Sequence, residues 1–109
     1  VGFTLTFLEF FFRGLLYSSP ILLFLALLIT SLGLWIGRKE AWPVVDATYF
    51  AFITATTVGY GDFHPKHTAC KYVAIIIALI GVLFTGIIVA TGLYAVETAF
   101  TEIHGLKAN

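Results

Sequence analysis

The chain has 109 residues, of which 60% are hydrophobic and only 11% charged. Soluble domains carry about 25% charged residues to cover their surface, so this composition fits a chain whose solvent is largely lipid, and its length leaves room for one compact unit. A formal net charge of zero removes the electrostatic case for nucleic acid, and the single cysteine, Cys70, excludes an intrachain disulfide or a Cys-rich metal site.

The first predicted element covers residues 1–18, rich in Phe and Leu and carrying Glu9 and Arg13. Those charges stand four apart, so on a helix they share a face and pair. An interfacial helix lying along a membrane is the expectation here, with the start of the first span as the alternative. No small-residue cleavage site follows, as a removable signal would require. With no Met anywhere, the chain reads as a fragment, so a regulatory domain outside it stays open as a partner.

An outer spanning helix is expected over 19–38. The run from Gly14 to Gly37 holds no charge, and a span needs about 20 apolar residues. Pro20 sits near its start and removes one backbone donor. Trp35 falls at an aromatic-belt position, and Arg38-Lys39-Glu40 ends the span. Next, Pro43 opens a short apolar helix over 43–56, too short to cross but suited to re-entering the membrane. A Gly-rich loop over 57–62 follows, and Asp62-Phe63-His64-Pro65 turns the chain outward. The inner helix is expected over 68–102, with Tyr72 to Val96 uncharged. At 1.5 Å per residue its length exceeds a hydrocarbon core of roughly 30 Å. Gly81, Gly86 and Gly92 within it allow either close helix packing or a bend. The fold class is therefore an all-α membrane protein with two transmembrane helices and a re-entrant helix and loop between them.

The loop is where the chemistry lies. A cation that sheds water needs oxygens in exchange, and backbone carbonyls hold it without trapping it. Successive carbonyls of a strand point to opposite sides. Aiming them all at one axis forces alternate residues into unusual backbone regions, which glycine enters at little cost. Gly59 and Gly61, two apart, meet that demand, with Val58 and Tyr60 free to point outward and Thr57 adding a hydroxyl. Irregular backbone at membrane depth must be buried in protein or line a watery path, so several copies must surround one axis. The preceding helix points a C-terminal end of about half a negative charge toward that path.

Thr54-Ala55-Thr56-Thr57-Val58-Gly59-Tyr60-Gly61-Asp62 resembles the potassium-channel signature, and the layout over about residues 20–100 resembles the prokaryotic two-transmembrane, one-pore-loop channels. That resemblance implies a homotetramer in the cell membrane, multi-pass, with both termini cytoplasmic and lipid as its other partner. It implies K+ ions, and no organic cofactor, on the carbonyls of Thr57, Val58, Gly59 and Tyr60, with Gly61 shaping the outer mouth. It aligns Gly81 with a gating hinge and Val82, Thr85 and Val89 with the cavity, and places an inner constriction near Leu93 to Glu97. Tyr60 stands where similar non-selective channels carry Asp. Ile53 replaces the pore-helix glutamate of some bacterial members, and Tyr49 stands where many have Trp, so Tyr49 is expected to brace Asp62. The lack of acid between Tyr72 and Val96 implies weak rectification by internal polyamines.

No helix carries an arginine at every third residue, so voltage sensing of that kind is not expected. Charge alone would orient the chain the other way, because Arg38, Lys39, Lys66 and Lys71 lie between the spans against Arg13 and Lys107 at the ends. His64 and His67 read as exposed loop histidines rather than as groups that tune the mouth with pH, His104 as one without a partner at metal spacing, and Trp42 as a second interface anchor. The rivals are a non-selective cation channel on the same frame, a pore-loop subunit of a potassium transporter, and a structural membrane hairpin. None of these is an enzyme, and no catalytic residue is needed.

Overall fold

The computed structural model describes residues 2–104, so Lys107 lies outside the described residues. Three helices follow in chain order: α1 over Gly2–Glu40, α2 over Val44–Ala55 and α3 over Thr68–His104. Among the described residues there is no strand. The segments 1–18 and 19–38, expected as two elements, fall in one continuous helix from residue 2 onward, within α1.

Continuity through Pro20 has a local cause. Proline has no N–H to give to the carbonyl four residues back, which is that of Leu16. The Ser19 hydroxyl donates to the Leu16 oxygen at 2.7 Å instead, so an acceptor that lipid cannot solvate is satisfied. At its other end α1 stops on Ala41, whose φ is +62°. The Trp42 N–H then donates back to the Gly37 carbonyl at 2.8 Å. This is the six-to-one closure of a left-handed C-terminal cap. Because the left-handed residue is alanine, the cap is strained by about 1–2 kcal/mol.

Two compact units make up the chain, one over Leu22–Thr85 and one joining the two ends. In the unit Leu22–Thr85, α2 buries Ala47, Phe50, Ala51 and Ala55 on one face. Phe50, Ala51 and Ala55 join Ile29 and Ile36 of α1 and Cys70 and Ile77 of α3 in one core. Small residues let the backbones approach. A methyl placed on Gly33 would fall 2.5 Å from the Ala51 Cβ, and one on Gly37 2.5 Å from the Ala47 Cβ. Lipid tails are as apolar as these side chains, so close contact rather than transfer from water holds α2 in place.

In the unit of the two ends, Phe7 stacks on Phe11 at 5.7 Å. Glu9 and Arg13 pair at 2.8 Å, as their spacing predicted. A methyl on Gly14 would meet the Thr91 Cγ2 at 2.6 Å, and the Thr91 hydroxyl turns to the Ile87 carbonyl at 2.8 Å.

Both α1 and α3 are long and apolar enough to cross a membrane, and only 28% and 11% of their most apolar stretches are covered by protein. A soluble core helix is mostly covered. Exposed Leu23, Phe24, Leu27, Ile75, Leu79 and Leu83 therefore need lipid or other protein around them. The chain is a membrane protein.

Candidate functional site

The loop after α2 departs from helix by way of two threonines. The Thr56 hydroxyl donates to the Phe52 carbonyl at 2.6 Å and its N–H to the same oxygen at 2.9 Å. From there the N–H groups of three successive residues fold back on the end of α2. Thr57 donates to Thr54 O at 3.1 Å, Val58 to Ile53 O at 3.0 Å and Gly59 to Ile53 O at 3.2 Å. The last turn of α2 thus gains donors that a helix end otherwise lacks.

Backbone angles alternate along the same stretch. Thr57, Gly59 and Gly61 have φ of +65°, +55° and +83°, while Val58 and Tyr60 between them do not enter the positive region. For glycine this conformation is free of steric cost. For Thr57 it is strained, and the strain is held by the Thr57 N–H bond to α2 and by its hydroxyl, which donates to the Thr56 carbonyl at 2.6 Å. The sequence reading foresaw the two glycines and missed the third alternating position. In a planar trans peptide the N–H and the preceding carbonyl point opposite ways, so with the Val58 and Gly59 N–H groups turned to α2 the carbonyls of Thr57 and Val58 are presented to the other side.

The side chains of the loop are open in the single subunit. Tyr60 is 71% exposed and Val58 49%. Behind the loop, Trp42 lies edge-on to Phe50 at 5.1 Å and to Phe63 at 5.4 Å, and Phe63 meets Tyr49 at 6.2 Å. Trp42, expected as an interface anchor, is partly buried and packs against the core. Its ring follows from the left-handed cap at Ala41, which turns the chain back over α2. Phe63 went unnoticed in the sequence, where it was one residue of a turn. The pattern Trp-Pro before the short helix and Phe after the Gly-rich loop was its only signal.

Tyr49 and Asp62 are brought near one another. Burial raises the pKa of the Tyr49 hydroxyl above its ordinary value, and the Asp62 carboxylate raises it further as a hydrogen-bonding and charged neighbour. His64 Nδ1 stands 3.2 Å from the Gly61 carbonyl, a contact that its Nδ1–H tautomer makes.

Among the residues aligned with a hinge and a cavity, Gly81 is buried against the end of α2. A methyl there would overlap the carbonyl oxygen and Cα of Ala55. α3 runs without interruption through Gly81. Of the two uses foreseen for this glycine, the close approach has a visible cause. Val82 and Val89 are more than half exposed. Thr85 differs, because its hydroxyl oxygen is buried and has no hydrogen-bond partner. Thr30, Thr91 and Thr101 each bond the carbonyl four residues back.

Beyond the loop, Glu40 spans from the end of α1 to the start of α3. Its Oε2 accepts from the N–H of Lys66 and of His67, both at 2.9 Å, and lies 2.7 Å from His67 Nδ1. The His67 N–H chiefly accounts for a carboxyl at about 2 rather than 4.5, against the opposing effect of burial.

A family model described as "Ion channel" matches residues 10–97. The chain belongs to this ion channel family. Two-pore potassium channel 2 of Arabidopsis thaliana is 37% identical over 75 residues, 60% of this chain and 17% of that protein. TWiK family of potassium channels protein 7 of Caenorhabditis elegans is 33% identical over 69 residues, 61% of the chain and 12% of that protein. Two pore potassium channel c of Oryza sativa subsp. japonica is 44% identical over 48 residues, 44% of the chain and 10% of that protein. The channel thus spans less than a fifth of the length of each of these relatives. No solved structure matches it.

Proposed function

We propose that this channel conducts K+ passively and selectively, through a filter whose oxygens are the carbonyls of Thr57, Val58, Gly59 and Tyr60 with the Thr57 hydroxyl. The observation that carries the reading is the alternation of positive φ at Thr57, Gly59 and Gly61. The N–H groups tied back to Ile53 support it, because they turn the Thr57 and Val58 carbonyls away from α2 and leave them for an ion. The names of the relatives, all potassium channels, support the choice of ion. Gly61 shapes the outer mouth, and Asp62 with Tyr49 braces the filter from behind.

One loop supplies one wall, so the pore needs four. We read the channel as a homotetramer in lipid, in which the exposed Val58 and Tyr60 are covered by neighbouring copies and both termini face the cytoplasm. Val82, Thr85 and Val89 then border the cavity under the filter, and Gly81 serves as hinge as well as packing contact. The names of the two-pore relatives favour a second stoichiometry, two loops per chain in a dimer, where such a module occurs twice in a longer protein.

The test is reversal potential in reconstituted bilayers with mixed sodium and potassium. A value close to the potassium equilibrium potential, with block by barium, is expected. A reversal midway between the two ions defeats the potassium reading and leaves a non-selective channel. Native mass spectrometry of the detergent-solubilised chain decides between four copies and fewer.

A further inference from the structure

The end of α1, the approach to α3 and its first turn each deliver one metal-ligating group to a single point. The Glu40 carboxylate, a His67 ring nitrogen and the Cys70 thiol lie within 4.8 Å of one another. They come from residues 40, 67 and 70, so the fold and not local spacing assembles them. The Glu40 side chain is only 4% exposed and Cys70 is fully buried, while the His67 side chain is 62% exposed.

We propose that Glu40, His67 and Cys70 form a binding site for a divalent transition-metal ion of the Zn2+ class. One oxygen, one imidazole nitrogen and one sulfur are the donors that Zn2+ takes, and three protein ligands leave a fourth position for water. The mixed set disfavours Ca2+ and Mg2+, which require mostly oxygen ligands.

A simpler account makes Glu40 only a cap for the start of α3, and it explains the two backbone donors on Oε2. Core packing with Ile29, Ile36 and Ile77 accounts for the burial of Cys70, but neither account calls for its free thiol to lie within 4.8 Å of both the Glu40 carboxylate and the His67 ring. The bonds given to Glu40 by Lys66 and His67 all fall on Oε2. Oε1 carries none of these bonds, so a metal held through it would leave the cap intact. Donors around a tetrahedral Zn2+ with arms of about 2.0–2.3 Å stand roughly 3.5 Å apart. Closing the present spread takes a movement of about 1 Å, which the exposed His67 side chain supplies by leaving Oε2 for the metal. As the metal–sulfur bond forms, the thiol proton passes to water. The bound ion would clamp α1 to α3 on the side of the membrane where the two spans are joined.

The experiment uses the full chain in detergent, with Co2+ as a spectroscopic stand-in and Zn2+ as competitor. Because the chain has one cysteine, a thiolate-to-cobalt charge-transfer band reports Cys70 alone. Expected are one Co2+ per chain, displacement by Zn2+, loss of the band in Cys70→Ala, and at least a tenfold weaker affinity in His67→Ala. His67 is exposed, so His67→Ala keeps the test alive if Cys70→Ala does not fold. No charge-transfer band in the parent chain, or an unchanged affinity in His67→Ala, overturns the proposal. Conduction is not measured, so this outcome is independent of the potassium reading.

Discussion

Replacing Gly81 by alanine separates packing from bending as the reason for that glycine. The new methyl would overlap the Ala55 carbonyl oxygen and Cα. The obstacle is backbone at the end of α2, which no rotamer change can move aside. Overpacking of this kind costs about 1–3 kcal/mol, and a backbone obstacle places it at the upper end. Alanine returns about 1 kcal/mol through better helix propensity. The net loss is then about 2 kcal/mol, a fall in thermal midpoint of roughly 8–16 °C for a chain of this size. Gly86 is the internal control, since a methyl there meets nothing within 4 Å. Gly86→Ala should raise the midpoint by the helix-propensity gain alone. Both are read by near-ultraviolet circular dichroism of Trp35 and Trp42 during heating in detergent. If Gly81→Ala melts at or above the parent temperature, in step with Gly86→Ala, the close contact with α2 is not what requires glycine. The bend would then be the remaining reason.

Ala41→Gly relieves the left-handed strain at the end of α1 and should stabilise the channel by about 0.5–1 kcal/mol, seen as a higher midpoint in the same melt; a lower one would contradict the cap. Ser19→Ala leaves the Leu16 carbonyl without a donor in an apolar span and should cost about 1–3 kcal/mol. Ser19→Thr, which restores the hydroxyl, should recover much of that. In metal-free buffer the Glu40 carboxylate contributes stability that is complete above its unfolded pKa of 4.5 and fades as pH falls toward about 2. Glu40→Gln should remove that acid-dependent part of the melting curve, and a parent whose midpoint is flat over the window would refute it. Tyr49→Phe deletes the hydroxyl that faces Asp62 and should speed filter inactivation in single-channel records; unchanged inactivation and unchanged ion preference would show that the filter is not braced there.

Much of this channel is decided by composition and local order. Uncharged runs bounded by Arg38-Lys39-Glu40 and Lys71 permit only spanning helices, because lipid offers backbone groups no other partner. Pro43 and the Gly-rich loop bound a helix too short to span, and the two-residue spacing of Gly59 and Gly61 signals alternating backbone. Such features depend on neighbours along the chain, so they are legible in it.

What remained for the structure depends on backbone geometry at the ends of α1 and α2 and on residues far apart in sequence. That Thr57 shares the left-handed conformation follows from Ile53 and Thr54 accepting the loop's N–H groups. That Gly81 is needed follows from where the end of α2 lies, and that Trp42 packs against the core follows from the cap at Ala41. In the sequence Glu40 and His67 read as a span end and an exposed histidine, and Cys70 only as a lone cysteine. Only the packing of α1 against α3 brings them within 4.8 Å. Local sequence sets which backbone shapes are affordable; the distances between helices decide which side chains meet, and no pattern along the chain encodes a distance across it.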